Sequence, residues 1–306
     1  MKQERGTLFL YAQSLLHPGA GTSTEVIDVP IQREAHTRFP LIPASSLKGS
    51  LRDLAERKVK DQNLIADIFG VVRDKEAFAG ALTVGDGKIL AFPVRSLTRT
   101  FFWVSSPLAL SRVKRDLEVS GLRPNWGIIP EVKQGQGLVP TNCDIDGDLY
   151  LEEMNFSVKP NKEVSTMAQF IASQLDPAII GEAYAHKLQN DLVVISDDDF
   201  PYFVRFATHV TARIKLTSAK TTGSYKTADG VKEQGNLWYE EALPPETIFY
   251  AQVGADTPRG HSLSNSQEVL QILTDTILAE RFIQLGGNET LGQGWCAAFF
   301  ARGVDA

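Results

Sequence analysis

Residues that could do chemistry are concentrated in the charged stretch VIDVPIQREAHTR at 26–38, which brings Asp28, Arg33, Glu34 and His36 close together along the chain. The stretch sits inside a polar, glycine-rich segment from 17 to 40 that is too polar to be core. Long segments without regular structure inside a domain are often functional. None of the five histidines shows metal-ligand spacing, but His17 is of interest because it enters the same segment as Asp28. One carboxylate alone is not a complete metal site.

A basic helix is predicted directly after this segment. The run SSLKGSLRDLAERKVKD carries leucines at helical spacing, namely Leu47, Leu51 and Leu54. Ser45 and Ser46 are candidates for capping its N-terminus, where free backbone N–H groups attract anions. Lys48 and Arg52 are four residues apart and therefore share one face. Together these two cations can clamp a phosphate backbone.

Composition limits the function classes. The chain has 306 residues, 43% of them hydrophobic and 22% charged, which is ordinary for a globular protein. No stretch approaches the roughly 18 apolar residues of a membrane helix, and no signal peptide is recognisable, so we expect a cytoplasmic protein without membrane contact. Cys143 and Cys296 give neither a disulfide framework nor zinc spacing. A net charge of −6 argues against general nucleic-acid binding but leaves room for a local basic groove.

The order of predicted elements indicates an α+β fold, with a ferredoxin-like or RNA-recognition-motif-like core that carries large insertions. Strands are expected at 6–16, 101–107, 149–158 and 192–196, and a hairpin around Gly85–Gly87. Helices are expected at 108–121, 164–190, 199–207 and 266–284, whereas 122–146 is expected to be rich in loops. A long hairpin at 209–255 should project its polar centre, 217–236, into solvent.

Other motifs allow two interpretations. Ser45 to Lys48 matches the S-x-x-K pattern of acyl-enzymes, but its companion motifs are absent, so helix capping is the better interpretation. The glycine cluster near the C-terminus predicts either a tight turn or backbone close to a phosphate; it comprises Gly286, Gly287, Gly292 and Gly294. Lysines interleaved with aromatic residues in the 209–255 hairpin suit single-stranded nucleic acid and a solvated hairpin equally.

Three segments occur in order along nearly the whole chain: HPGAGTSTEVIDVPIQREAHTRFPLIPASSLKGSLR, LWYEEALPPETIFY and LGGNETLGQGW. Together they resemble the backbone subunits of the type III-B CRISPR effector, the Cmr complex, within the RAMP (repeat-associated mysterious protein) superfamily. The sequence departs from that family at Arg38 and Ala44, where glycine is common, and these changes affect the shape of the loop.

The resemblance implies a single RAMP domain over 1–306: a modified RNA-recognition-motif palm with a protruding β-hairpin thumb at about 209–250. Copies of such a subunit stack along a CRISPR RNA with other Cmr subunits and cleave complementary single-stranded target RNA, one cut per subunit. Carried over, Asp28 is the catalytic residue and His17 a second candidate, with Mg²⁺ or another divalent cation bound with the RNA. The RNA-binding candidates are Arg33, Ser45, Ser46, Lys48, Arg52, Gly286, Gly287, Gly292 and Gly294.

An alternative is a structural RNA-binding filament without catalysis. Asp28 distinguishes the two, since a purely structural subunit has no need for a carboxylate at that position. A free-standing small-molecule enzyme is a weaker hypothesis, because no convergent set of catalytic residues is recognisable.

Overall fold

A computed structural model describes residues 4–24, 26–71, 77–260 and 262–303. The strands are β1 (Glu4–Ala12), β2 (Leu41–Ile42), β3 (Gly70–Val71), β4 (Phe78–Ala79), β5 (Leu82–Val84), β6 (Gly87–Arg95), β7 (Phe101–Ser105), β8 (Gln136–Pro140), β9 (Gly147–Leu151), β10 (Met154–Asn161), β11 (Leu192–Ile195), β12 (His209–Lys215), β13 (Ser224–Lys226), β14 (Lys232–Gln234), β15 (Asn236–Ala242), β16 (Ile248–Ala255), β17 (Phe282–Gln284) and β18 (Trp295–Arg302). The helices are α1 (Ala44–Lys58), α2 (Gln62–Phe69), α3 (Pro107–Val119), α4 (Lys162–Ser173), α5 (Pro177–Ile180), α6 (Glu182–Asn190), α7 (Phe200–Phe206) and α8 (Ser266–Ile272). A π-helical turn at Leu273–Ile277 continues α8, and a 3-10 turn at Glu289–Leu291 precedes β18.

The palm is a ferredoxin-like unit. Its strands lie in the order β18–β1–β16–β6 and are antiparallel throughout. Helix α1 connects β1 to β6, and α8 leads from β16 towards β18, which gives the β-α-β-β-α-β succession of that fold. The predicted α+β class and palm are therefore confirmed.

A large insertion between β6 and β16 extends the sheet and covers its second face. Beyond β6 the strand order continues β7–β11–β8–β10–β9. Alternate side chains of β1 enter two separate cores, because successive residues of a strand point to opposite faces. Leu8 and Leu10 pack in the core that contains Leu47 of α1. Phe9 packs in the second core with Val113 of α3.

The thumb is the hairpin formed by β12 and β15, which pair from His209–Ala242 to Lys215–Asn236 outside the main sheet. Its tip carries the small β13–β14 pair. The chain re-enters the main sheet at Ile248, so the β12–β15 hairpin itself ends at Ala242. The thumb limits of about 209–250 stay a prediction. The tip is almost entirely exposed, in agreement with its polar sequence.

The predicted hairpin around Gly85–Gly87 is wrong. Strands β5 and β6 do not pair with each other, since both pair with β16 along the same edge. Gly85 N donates to Gln252 O at 2.8 Å, which keeps the chain running along β16 through the apparent turn. Asp86 uses its carboxylate elsewhere, as the acceptor for Ala44 N at 2.7 Å.

Two long helices predicted from periodicity are interrupted. The pattern at 164–190 forms α4, α5 and α6, because Pro177 lacks the N–H that a continuous helix needs there. The pattern at 266–284 ends in the π-helical turn and β17. The region expected to be rich in loops, 122–146, supplies β8, an inner strand of the extended sheet. None of the helices in the described ranges is long and apolar enough to cross a membrane.

Candidate functional site

Asp28 lies at the base of the thumb. Val29 N donates to Tyr239 O at 3.0 Å, and Glu241 N donates to Val29 O at 3.1 Å, so this segment pairs briefly with β15. The Asp28 carboxylate accepts the backbone N–H of Tyr239 through Oδ2 at 2.7 Å. Its other oxygen, Oδ1, has no hydrogen-bond partner among the described residues, and the side chain is partly exposed. One carboxylate oxygen is thus anchored and the other is available to a ligand.

The buried side chain of Glu241, on β15 of the thumb, bonds to the segment that follows Asp28. Its side chain is 3% exposed and contacts the Arg33 guanidinium at 2.5 Å. It also accepts hydrogen bonds from Ile31 N at 3.1 Å and from the Thr208 hydroxyl at 2.9 Å. Buried charges are normally paired in this way, because leaving one alone is costly.

Arg33 therefore has a structural role. Its guanidinium also donates to the carbonyl oxygens of Val204 at 2.8 Å and Arg38 at 3.0 Å. Burial lowers the pKa of Arg33, and the neighbouring Glu241 carboxylate opposes that shift. With these contacts directed into the protein, an RNA contact by Arg33 stays a prediction that would require the pair to open.

His17 is buried beside the same anchor and is only 6% exposed. Its Nδ1 donates to the carbonyl oxygen of Glu241 at 2.5 Å. That bond places the proton of a neutral ring on Nδ1 and leaves Nε2 as the acceptor. The His17 carbonyl accepts the N–H of Gly287 at 2.9 Å. A catalytic role for His17 stays a prediction; its visible role is to fix the start of the segment.

The glycine-rich turn is needed for close packing at two positions. A Cβ on Gly286 would lie 2.4 Å from His17 O, and one on Gly294 would lie 1.9 Å from Leu285 O. Both residues have positive φ, 81° and 80°, which glycine adopts without strain. A Cβ on Gly292, which also has positive φ, would meet nothing within 4 Å. The tight-turn interpretation explains Gly286 and Gly294, and the predicted RNA contact of the cluster stays a prediction.

Lys48 and Arg52 do not belong to the thumb base; both line a cavity beside α1. The Lys48 ammonium donates to Leu82 O at 2.9 Å. Burial, and then the charge of Arg52, lower the pKa of Lys48. Arg52 bonds Glu56 at 2.8 Å and Gly70 O at 3.3 Å. The prediction that the two cations share one face is confirmed, because both line the same cavity.

The predicted serine cap of α1 is wrong. The N-cap residue is Pro43, which makes no side-chain capping bond, and the Asp86 carboxylate takes the Ala44 N–H instead. Ser45 is exposed and Ser46 partly exposed in the first turn, so both hydroxyls remain accessible to a ligand. Their RNA contact stays a prediction.

The structure thus separates the predicted residues into two groups. His17, Asp28, Arg33, Gly286 and Gly287 meet around the thumb base, whereas Lys48 and Arg52 line the cavity at α1. Sequence reasoning missed Glu241 and Asp86, whose partners lie far away along the chain. The adjacent acidic pair in LWYEEALPP was the available signal for Glu241.

The described residues do not by themselves fit a resident divalent cation. Within the described ranges, no cluster of three or more His, Cys, Asp or Glu side chains could hold a metal ion. Asp28 offers a single unanchored oxygen, while Mg²⁺ takes an octahedral set of oxygen ligands. Any divalent cation at this position would depend on oxygens from RNA and water.

Comparison with known proteins gives a consistent result. The sequence profile of the RAMP superfamily matches residues 9–297. The CRISPR system Cmr endoribonuclease Cmr4 of Pyrococcus furiosus is 37% identical over 290 residues, covering 94% of this chain and 92% of that protein. The crystal structure of oligomeric Cmr4 from Pyrococcus furiosus matches with a TM-score of 0.73 and 29% identity, covering 99% of this chain and 100% of that one. A chain in the cryo-EM structure of the type III-B Cmr-beta complex bound to cognate target RNA matches with a TM-score of 0.69 and 22% identity, covering 97% and 96%, and is similar in fold.

Proposed function

This chain belongs to the RAMP superfamily, and from that membership we propose that it is the RNA-cleaving backbone subunit of a type III-B CRISPR effector, the Cmr complex. The observation that carries the proposal is 37% identity to a Cmr endoribonuclease over 94% of the chain. Similarity of that extent includes the palm, the thumb and the Asp28 segment together.

The proposed ligands are a CRISPR RNA and a complementary single-stranded target RNA. A guide carrier must accept any sequence, so it should contact phosphate and sugar rather than base edges. Lys48 and Arg52 on one face of α1 suit that task, and the net charge of −6 is compatible with it because only one groove needs to be basic. The oligomeric crystal structure of the Pyrococcus relative supports the association of copies with one another. The proposal adds that the copies stack along the guide together with other Cmr subunits.

We assign the chemical step to Asp28. The thumb, which carries the anchor of Asp28, would displace one base of the target and distort the backbone beside it. The target's own 2′-oxygen then attacks the adjacent phosphorus, the P–O5′ bond breaks, and the products are a 2′,3′-cyclic phosphate and a 5′-hydroxyl. Asp28 Oδ1 takes the proton from the 2′-hydroxyl, and the departing 5′-oxygen takes a proton from water. With one Asp28 per copy, each subunit makes one cut.

A second role for the same carboxylate is compatible with the geometry. Mg²⁺ bound mainly by RNA oxygens and water would neutralise phosphate charge, with Asp28 as its single protein ligand. Both roles need the free Oδ1, and both are lost when the carboxylate is removed.

Asp28→Asn tests the assignment with little risk to the fold. An asparagine carbonyl still accepts the Tyr239 N–H, so the anchor that now measures 2.7 Å is kept. A complex reconstituted entirely with Asp28→Asn subunits should bind guide and labelled target RNA as the wild type does. Cleavage in Mg²⁺ should fall about 10²- to 10⁴-fold, the usual value of general acid–base help. Asp146→Asn, at an exposed carboxylate, is the matched control and should cleave normally.

Cutting at the wild-type rate by Asp28→Asn and by Asp28→Ala would exclude the catalytic role and favour the structural filament without catalysis. Loss of binding together with cutting would make Asp28 a positioning residue.

A further inference from the structure

The cavity beside α1 has a composition that a phosphate clamp alone does not require. It measures about 380 Å³ and lies between α1 and strands β3, β4 and β5. Lys48 and Arg52 supply its charged side, while Phe69, Phe78 and Leu82 supply apolar walls. A site for phosphate alone would gain nothing from two aromatic rings.

The two cations keep hydrogen-bonding capacity for a ligand. In the part of the chain that the structure describes, the Lys48 ammonium has the Leu82 carbonyl as its one partner and no carboxylate within ion-pair distance. Arg52 donates through Nε and one terminal nitrogen, which leaves the other terminal nitrogen of the fork without a partner there. An anion bound at the rim would offset the free-energy cost of burying the Lys48 charge.

The aromatic walls differ in accessibility. Phe69 is 7% exposed and is the last residue of α2, so it forms the buried floor of the cavity. Phe78 is partly exposed on β4, where it pairs with Val71, and is therefore the more accessible of the two aromatic rings that line the cavity. A volume of about 380 Å³ is near the lower end of the roughly 300–1,000 Å³ of small-molecule sites, which suits one flat ring system and excludes a duplex.

We propose that this cavity binds a single unstacked nucleobase of RNA against Phe78, while Lys48 and Arg52 hold the phosphates that flank it. The inference rests on the proposed RNA-binding function and extends it from backbone contact to a base subsite. Stacking on an aromatic ring tolerates any base, because every base has a π-face, so the subsite is compatible with guides of any sequence. Such a site would fix the register of the guide on each subunit.

The test uses the full-length chain and two single-stranded RNA 12-mers, one intact and one abasic at every nucleotide, because a site that tolerates any base can shift past a single abasic position. With wild-type protein, the fully abasic RNA should bind about 5- to 160-fold more weakly, which is the value of one stacked base expressed as affinity. Phe78→Leu keeps an apolar side chain in the wall and removes the flat ring. This variant should bind intact RNA as weakly as the wild type binds the fully abasic RNA, and should show no further abasic penalty.

Tyr184→Ala is the matched control, because Tyr184 is a 40% exposed aromatic residue on α6, in the layer on the opposite face of the sheet. It should retain the wild-type pattern. An equal affinity of wild-type protein for the intact and the fully abasic RNA, or an unchanged abasic penalty in Phe78→Leu, overturns the base subsite. In either case Lys48 and Arg52 can still hold phosphate, and Asp28-dependent cleavage is measured separately, so failure of the subsite is distinguishable from failure of the proposed function.

Discussion

Removal of the Glu241 side chain should both loosen the Asp28 segment and lower the free energy of unfolding of the protein. Glu241→Ala deprives the Arg33 guanidinium of a carboxylate at 2.5 Å, in a place where the two side chains are 13% and 3% exposed. It also leaves Ile31 N and the Thr208 hydroxyl without their acceptor. Breaking a buried ion pair from one side costs about 3–5 kcal/mol. Because Arg33 keeps some contact with solvent, we expect about 3 kcal/mol.

Urea unfolding of four proteins measures the effect: wild type, Arg33→Ala, Glu241→Ala and the double variant. The double variant should be less destabilised than the sum of the single variants, with a coupling of about 0.5–3 kcal/mol. The control pair, Asp53 and Arg57 on α1, is 60% exposed on both sides, and its removal should not measurably change the free energy of unfolding. Glu241→Ala should also cleave target RNA more slowly. Additive single effects, or a loss no larger than that of the control pair, would refute the claim that this ion pair holds the segment.

Three further outcomes are expected. Replacing 217–235 by a tight turn should change the free energy of unfolding by less than about 0.5 kcal/mol, because the tip is exposed. The regular spacing of cuts should nevertheless be disturbed. Unfolding of this variant would show that the tip contributes to the core. In Lys48→Ala with Arg52→Ala, the slope of log affinity against log salt should fall by about 1.4, for two lost single-strand phosphate contacts, and an unchanged slope would remove both from the site. Burial raises the pKa of Glu246 above its usual 4.5, although the Tyr11 hydroxyl opposes this, so wild-type stability should fall as pH rises from 4.5 through that raised value. Glu246→Gln should lack this loss of stability. Denaturant titrations at several pH values measure the free energy of unfolding of both proteins, and an equal pH dependence would contradict the expectation.

Local patterns predicted the elements whose burial is periodic. Leu47 and Leu51 both point into one core, so the spacing of apolar residues located α1 correctly. The same reasoning failed where tertiary hydrogen bonds outweigh local signals. The glycines around Asp86 suggested a turn, but Gly85 N continues the ladder to Gln252 O at 2.8 Å. That partner lies too far along the chain for any local rule to find.

The candidate site was predictable in its members more than in its geometry. Asp28 and His17 were predicted from the polar segment and the family resemblance, yet their partners, Tyr239 and Glu241, are each more than 200 positions away. Local sequence favoured serine caps for α1, but the carboxylate of Asp86 accepts the Ala44 N–H at 2.7 Å instead. Local sequence reports which groups are available, whereas the tertiary fold decides which oxygen or nitrogen each one meets.

The position of β1 has a consequence for biosynthesis. This strand, Glu4–Ala12, bonds on one side to β16 and on the other to β18, which begin at residues 248 and 295. At about 5–20 residues per second, a ribosome needs roughly 10–50 s to deliver the first of these partners after β1 has been made. Throughout that interval the apolar run LFLYA has two unpaired edges, although it is an inner strand of the finished sheet. The nascent chain therefore needs protection, by a chaperone or by provisional collapse, at a segment that is fully buried once synthesis ends.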